Sequence, residues 1–208
     1  MHRRWYVVSV ATAAVVGVAI GVAFHSRLTG SAAADAVAVP ALHGQATWVT
    51  GSRAAPAFAL RDQRARRVSL ASLRGRTIAL TFLDSLCKQA CPLEGQMLAS
   101  AIRQVPAATR PQLLVVSVDP AGDTPRSVAH AMRKWRLPVN TIWLFGARAQ
   151  LKRVWDAYQI TVDPVSGGIL HSTAVYLLDK RGYERAGFLM PFVSGLVADD
   201  LSVLGDET

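Results

Sequence analysis

Unbroken apolar runs mark Thr77 to Leu83 and Gln112 to Val118 as buried strands, with Thr141 to Phe145 a shorter one. Between them the apolar period changes to that of a helix. From Cys91-Pro92 onward, Leu93, Met97, Leu98, Ala101, Ile102 and Val105 recur near 3.6 spacing and define an inward face. Proline suits the first helical positions, where no N–H is needed. Thr124-Pro125 opens a second helix to about Arg136, and Ala147 to Tyr158 forms a third. Before the first long strand, Phe58 to Gln63 and Arg67 to Leu70 read as two short strands around a turn. A brief helical turn follows and closes at Gly75. Near the end, Thr173 to Leu178 and Glu184 to Leu189 pair around the turn Asp179-Lys180-Arg181-Gly182, and a short helix begins at about Ser194.

Strands alternating with helices of this length indicate parallel βαβ units, and the closing hairpin makes the sheet mixed. An early strand ending in a dithiol at a helix start completes a thioredoxin-like α/β layout, a mixed sheet flanked by helices, over residues 55–208.

The segment ahead of this domain is different in kind. Arg3 and Arg4 precede Trp5 to Phe24, which holds no charged residue. Twenty such residues can span a bilayer, with the N-terminus held in the cytoplasm by the arginines. Residues 1–27 therefore read as a transmembrane anchor or a signal segment. The length of the run favours an anchor, while Ala32-Ala33-Ala34 resembles a cleavage site. Either reading exports the domain, and residues 28–54 form a flexible tether.

The formal net charge of +9 does not indicate nucleic acid. Arg3, Arg4 and Arg27 lie in the first thirty residues, which hold no acid. The other cations are spread along the chain, apart from one cluster at Arg61, Arg64, Arg66 and Arg67. Nucleic-acid surfaces gather basic residues on one face with interleaved aromatics. A solvated basic surface near anionic lipid headgroups or an acidic partner is the simpler reading.

The candidate chemistry lies in Cys87 and Cys91, the only two cysteines, four apart where a strand gives way to a helix. A helix N-terminus lowers a thiol pKa, so Cys91, next to Pro92, is expected to deprotonate more readily than Cys87. A plain structural disulfide is the alternative, but a bridge closing so short a loop stabilises little. His171 follows Val165-Ser166-Gly167-Gly168-Ile169-Leu170, a flexible loop entering a strand that faces the dithiol in a thioredoxin-like sheet. Two thiolates and an imidazole suit copper. His43, in the tether, and His130, mid-helix, read as surface residues. Asp123-Thr124-Pro125 reads as a helix start with Asp123 or Thr124 as the cap, and Asp119-Pro120 as a strand end; neither aspartate is taken as a ligand.

Three segments carry a family resemblance. Cys87-Lys88-Gln89-Ala90-Cys91-Pro92 is similar to the Cys-x-x-x-Cys-Pro motif of the Sco/SenC family of copper-binding, thioredoxin-like proteins. Ser117-Val118-Asp119-Pro120 with Asp123-Thr124-Pro125 resembles its strand-to-helix segment. His171-Ser172 with Val175 to Asp179 resembles its distal histidine and final hairpin. The resemblance implies a membrane-tethered metallochaperone that binds one copper, Cu(I) or Cu(II), through Cys87, Cys91 and His171. It implies delivery to the copper-bearing subunit of cytochrome c oxidase during assembly of the copper A centre, or to another cuproprotein, with a copper donor or thiol reductant as a further partner. Two positions depart from the pattern. Lys88 stands where proline is usual and adds positive charge beside the thiolates. Leu170 stands where aspartate is usual and removes an acidic neighbour able to orient the imidazole.

The alternative is a thiol–disulfide reductase that keeps partner cysteines reduced through Cys87 and Cys91. General exchangers carry a cis-proline before the strand facing the dithiol, and Thr173 takes that place here. A peroxidase is disfavoured because Asp84 stands where its threonine would be.

Overall fold

The computed structural model describes residues 41–207. The expected anchor or signal at 1–27 lies outside the described residues, among which no helix is long and apolar enough to cross a membrane.

The elements are β1 (Ala46–Thr47), β2 (Ala59–Asp62), β3 (Arg67–Ser69), β4 (Ile78–Leu83), α1 (Ala90–Gln104), β5 (Gln112–Ser117), α2 (Pro125–Lys134), β6 (Ile142–Phe145), α3 (Arg148–Ala157), β7 (Val162–Val165), β8 (Gly168–His171), β9 (Ala174–Leu178), β10 (Glu184–Leu189) and α4 (Ser194–Asp206). Eight of the strands form one sheet in the order β1-β10-β9-β4-β5-β6-β2-β3. β4, β5 and β6 run parallel, and the strands on either side run antiparallel. This is the mixed sheet that the pattern predicts.

Side chains alternate across a strand, so each central strand feeds two cores. Ala79 and Leu83 of β4, with Leu113 and Val115 of β5, pack under α1, α2 and α4. Ile78, Leu80 and Phe82, with Leu114 and Val116, pack on the other face against Leu151, Val154 and Trp155 of α3. β4 and β5 are buried throughout, which accounts for their unbroken apolar character.

Three expectations are corrected. The inward face of α1 carries Cys91, Glu94, Leu98, Ala101 and Ile102, whereas Leu93 is exposed. A stripe through 94, 98 and 101 leaves position 93 about 100° away on the helix surface. The loop expected before His171 is instead a hairpin, β7–β8, pairing Val162 with His171 and Val165 with Gly168. Its two-residue turn places Gly167 at φ +88°, a conformation that suits glycine.

The third concerns the segment read as tether, part of which is woven into the domain. β1 pairs with β10. Two oxygens of the buried Asp200 carboxylate accept from the His43 backbone N–H at 2.8 and 3.0 Å, and one also meets its Nδ1 at 2.8 Å. His43 is exposed, as expected of a surface residue, while its backbone and ring are tied to the core through Asp200.

Candidate metal centre

The cysteine loop leaves the end of β4 and is pinned from below. The buried Asp123 carboxylate accepts from the Ser85 N–H at 2.8 Å and from the Trp143 indole N–H at 3.2 Å. The Ser85 hydroxyl lies 2.8 Å from that of Ser127 on α2. Asp84 shapes the turn itself. Its side chain accepts from the Leu86 N–H at 2.7 Å and its carbonyl from the Cys87 N–H at 3.2 Å. Burial pushes the Asp84 carboxyl up to about 6, with the hydrogen bond from Leu86 opposing the shift. Asp123 is therefore a floor for the loop, and the other of the two expected cap candidates takes that role. The cap of α2 is Thr124, which accepts from Ser127 N. Asp119 keeps its turn role, accepting from the Ala121 N–H at 3.2 Å.

Cys87 and Cys91 are both free thiols. The sequence-based order of their acidities is reversed. Gln89, at the N-cap of α1, contributes no side-chain cap. Free N–H groups at a helix start point back along the chain toward the residue before it. Cys87, partly exposed in that loop, receives them: the Cys91 thiol and the backbone N–H groups of Cys91, Gln89 and Ala90 bring its pKa down to about 5. Cys91 sits inside the first turn and is fully buried. Its hydrogen bond to Cys87 and its burial push the thiol well above the usual range.

His171 arrives from the other side, at the end of β8. Its Nδ1 lies 2.9 Å from the Ser172 carbonyl oxygen and its Nε2 3.3 Å from Cys91 Sγ. A carbonyl only accepts, so Nδ1 carries the ring proton and Nε2 presents its lone pair to the sulfur. Burial lowers the imidazole pKa, and the hydrogen bond to Ser172 opposes this. The neutral ring is the ligand form. Residues 170 and 171 face opposite sides of β8, and the group that orients the imidazole is the Ser172 carbonyl.

Glu94 is the residue that sequence reasoning missed. It is fully buried one turn beyond Cys91, takes a hydrogen bond from the Thr81 hydroxyl on one oxygen, and has no partner for the other. Burial raises its pKa to about 7. Nothing in the apolar pattern marks a glutamate as inward-facing.

Cys91 and His171 are in contact, with Cys87 hydrogen-bonded to Cys91. Among the described residues no three His, Cys, Asp or Glu side chains are already arranged to hold an ion. Leu86, Leu93 and Leu170, one on each contributing segment, are exposed.

A thioredoxin-like sheet with a dithiol and an imidazole converging at a helix entrance defines a class of thiol- and metal-handling domains. Within it, the SCO1/SenC family model matches residues 49–190, more than half of the chain, and the protein belongs to that family. It is 32% identical over 146 residues to a Stutzerimonas stutzeri protein provisionally named as copper-binding, covering 67% of this chain and 71% of that one. Among solved structures it is similar to a copper-bound Arabidopsis thaliana ScoI, with a TM-score of 0.66 and 22% identity, over 71% of this chain and 95% of the other. It is also similar to BsSco, which is described as having a disulfide switch and as a member of the Sco family of cytochrome c oxidase assembly proteins. That likeness has a TM-score of 0.66 and 18% identity, over 79% of this chain and 100% of the other. At such identities the likeness in structure is one of fold.

Proposed function

We propose that this protein binds one copper ion as cargo through Cys87 Sγ, Cys91 Sγ and His171 Nε2, and passes it on during assembly of the copper A centre of cytochrome c oxidase. The observation that carries this reading is the imidazole tautomer. With Nδ1 tied to Ser172, the Nε2 lone pair faces a cysteine sulfur at 3.3 Å, beside a second sulfur that ionises readily. Soft sulfur and imidazole donors select copper, and a hydrogen-bonded distal nitrogen is how ligating histidines are held. Binding would displace the Cys91 proton, since the thiolate is the ligand. Family membership supports the reading, as do the copper in the Arabidopsis relative and the assembly role given for BsSco. The apolar run at 5–24 supports export and membrane tethering of the domain.

The test is an anaerobic titration of the reduced, detergent-solubilised full chain with Cu(I) against a chromophoric chelator, beside the Cys87→Ala and His171→Ala variants. One equivalent bound by the parent is expected. The Cys87→Ala protein should lose nearly all of that binding and the His171→Ala protein at least about tenfold in affinity. Variants that bind as tightly as the parent would remove the proposal.

Thiol–disulfide reduction is the second reading. One observation favours it: a partly exposed, readily ionised Cys87 beside a buried Cys91 is suited to be an attacking and a resolving thiol. The Cys87 thiolate would attack a partner disulfide and release one partner sulfur. Cys91, giving up its proton, would then displace the second and leave a Cys87–Cys91 disulfide. A parent that binds no copper yet reduces a partner disulfide stoichiometrically would make this the function.

A further inference from the structure

From Thr124 to Trp155 the sequence contains no acid and seven cations. Folding gathers several of them at one end of the domain. Arg133 and Arg136, at and just beyond the end of α2, join Arg64 of the β2–β3 turn around a groove of about 450 Å³ floored by Met132, Leu137 and Pro138. Arg103 donates to the Arg136 carbonyl at 3.3 Å and adds a fourth guanidinium. Arg64, Arg133 and Arg136 are exposed, and among the described residues none has an acidic partner within salt-bridge distance. At the lip of the groove stands Val139, 97% exposed.

We propose that this face docks onto an anionic phospholipid surface. The chemistry matches on two counts. Unpaired guanidiniums recognise phosphate, with charge complementary to an anionic bilayer. A bare valine among them gains by entering the headgroup boundary, as apolar side chains of interfacial segments do. An acidic protein would satisfy the arginines but would give Val139 no reason to be, among the described residues, the most exposed large apolar side chain. The proposal rests on the reading of residues 5–24 as an anchor, which keeps the domain within a short tether of a bilayer.

The geometry has a consequence for the metal centre. The groove precedes β6, at the start of the parallel strands, whereas the cysteine loop leaves the end of β4. A domain docked by this face leaves the Cys87, Cys91 and His171 edge uncovered and free to meet a partner protein.

The experiment uses the full chain in lipid nanodiscs, one set equimolar phosphatidylglycerol and phosphatidylcholine, the other phosphatidylcholine alone. Amide hydrogen exchange is followed across Ala129 to Thr141. Slower exchange is expected in the anionic discs only, weakened about fivefold by each of Arg64→Gln, Arg133→Gln and Arg136→Gln and removed by all three together or by high salt. Retention in both discs with identical exchange would overturn docking while leaving the anchor intact. A chain retained by neither disc would refute the anchor, and the docking proposal with it. Slowing by soluble polyglutamate but not by anionic discs would make an acidic protein the partner and overturn the lipid assignment.

Discussion

The two halves of the candidate metal centre are built on different terms. The dithiol half is locked: Ser85 is held by Asp123 and Ser127, Cys91 is fully buried, and the N-terminal amides of α1 converge on Cys87. The histidine half rides on a small hairpin outside the main sheet, exposed at Val165, Gly168 and Leu170. Its attachment is lighter, through Val162 and Ile169 packed against the core and hydrogen bonds between Ser172 and Thr161. Few buried contacts mean a low cost of local opening. A fixed pair of sulfurs with an imidazole on a lightly held hairpin suits the proposed capture and release of an ion.

The largest effect expected from this contrast is in thiol reactivity. An ordinary thiol with a pKa of about 8.5 loses about 25-fold in alkylation rate between pH 9 and pH 7, because only the thiolate reacts. Cys87 should react with iodoacetamide at nearly the same rate at both values and slow only toward its midpoint near pH 5. Cys91 should remain unmodified while the protein is folded. The sign for stability follows. A depressed folded pKa stabilises the reduced protein fully above the unfolded value near 9, and that contribution fades as pH falls toward about 5. A rate for Cys87 that falls about 25-fold from pH 9 to pH 7 would show that the helix amides do not hold a thiolate. Next in size, Asp123→Ala strips the Ser85 N–H and the Trp143 indole of their acceptor. Denaturant unfolding should reveal a loss of about 3 kcal/mol, and the flat Cys87 profile should disappear with the loop.

Much of this fold was legible because its central strands and helices obey clean periods. β4, β5 and β10 fall within a residue or so of their expected bounds, as does the start of α4. The failures have physical causes. A four-residue strand pair with Asp163 and Pro164 in it has little apolar alternation, so β7–β8 passed for a loop even though Ser166-Gly167 marks its turn. β1 is two residues long and is held by β10, with His43 just ahead of it tied to Asp200, and partners so far away in sequence leave no local pattern. The three candidate site residues were readable from type and spacing. The acidity order was not, because it depends on which sulfur the helix amides face. Asp123 and Glu94 were invisible in their true roles because a buried carboxylate reads as a surface residue until its neighbours are known.

The remaining two predictions concern the movable half. Gly167→Val forces a β-branched residue into the left-handed region, at about 1–2 kcal/mol. If the hairpin positions His171, copper affinity should fall by about tenfold while Cys87 alkylation stays unchanged. A change in both would mean that the halves are not independent. Leu170→Asp should do least. The substitution restores the residue usual in the family, yet position 170 points away from the imidazole and is already solvated. Ser172 holds Nδ1 in place of an acidic neighbour. Chelator competition should therefore give a copper affinity within about threefold of the parent, below the tenfold or more that an orienting partner contributes. A gain of tenfold would mean that the Ser172 carbonyl is an inadequate substitute and that this hairpin was left loose at a cost in affinity.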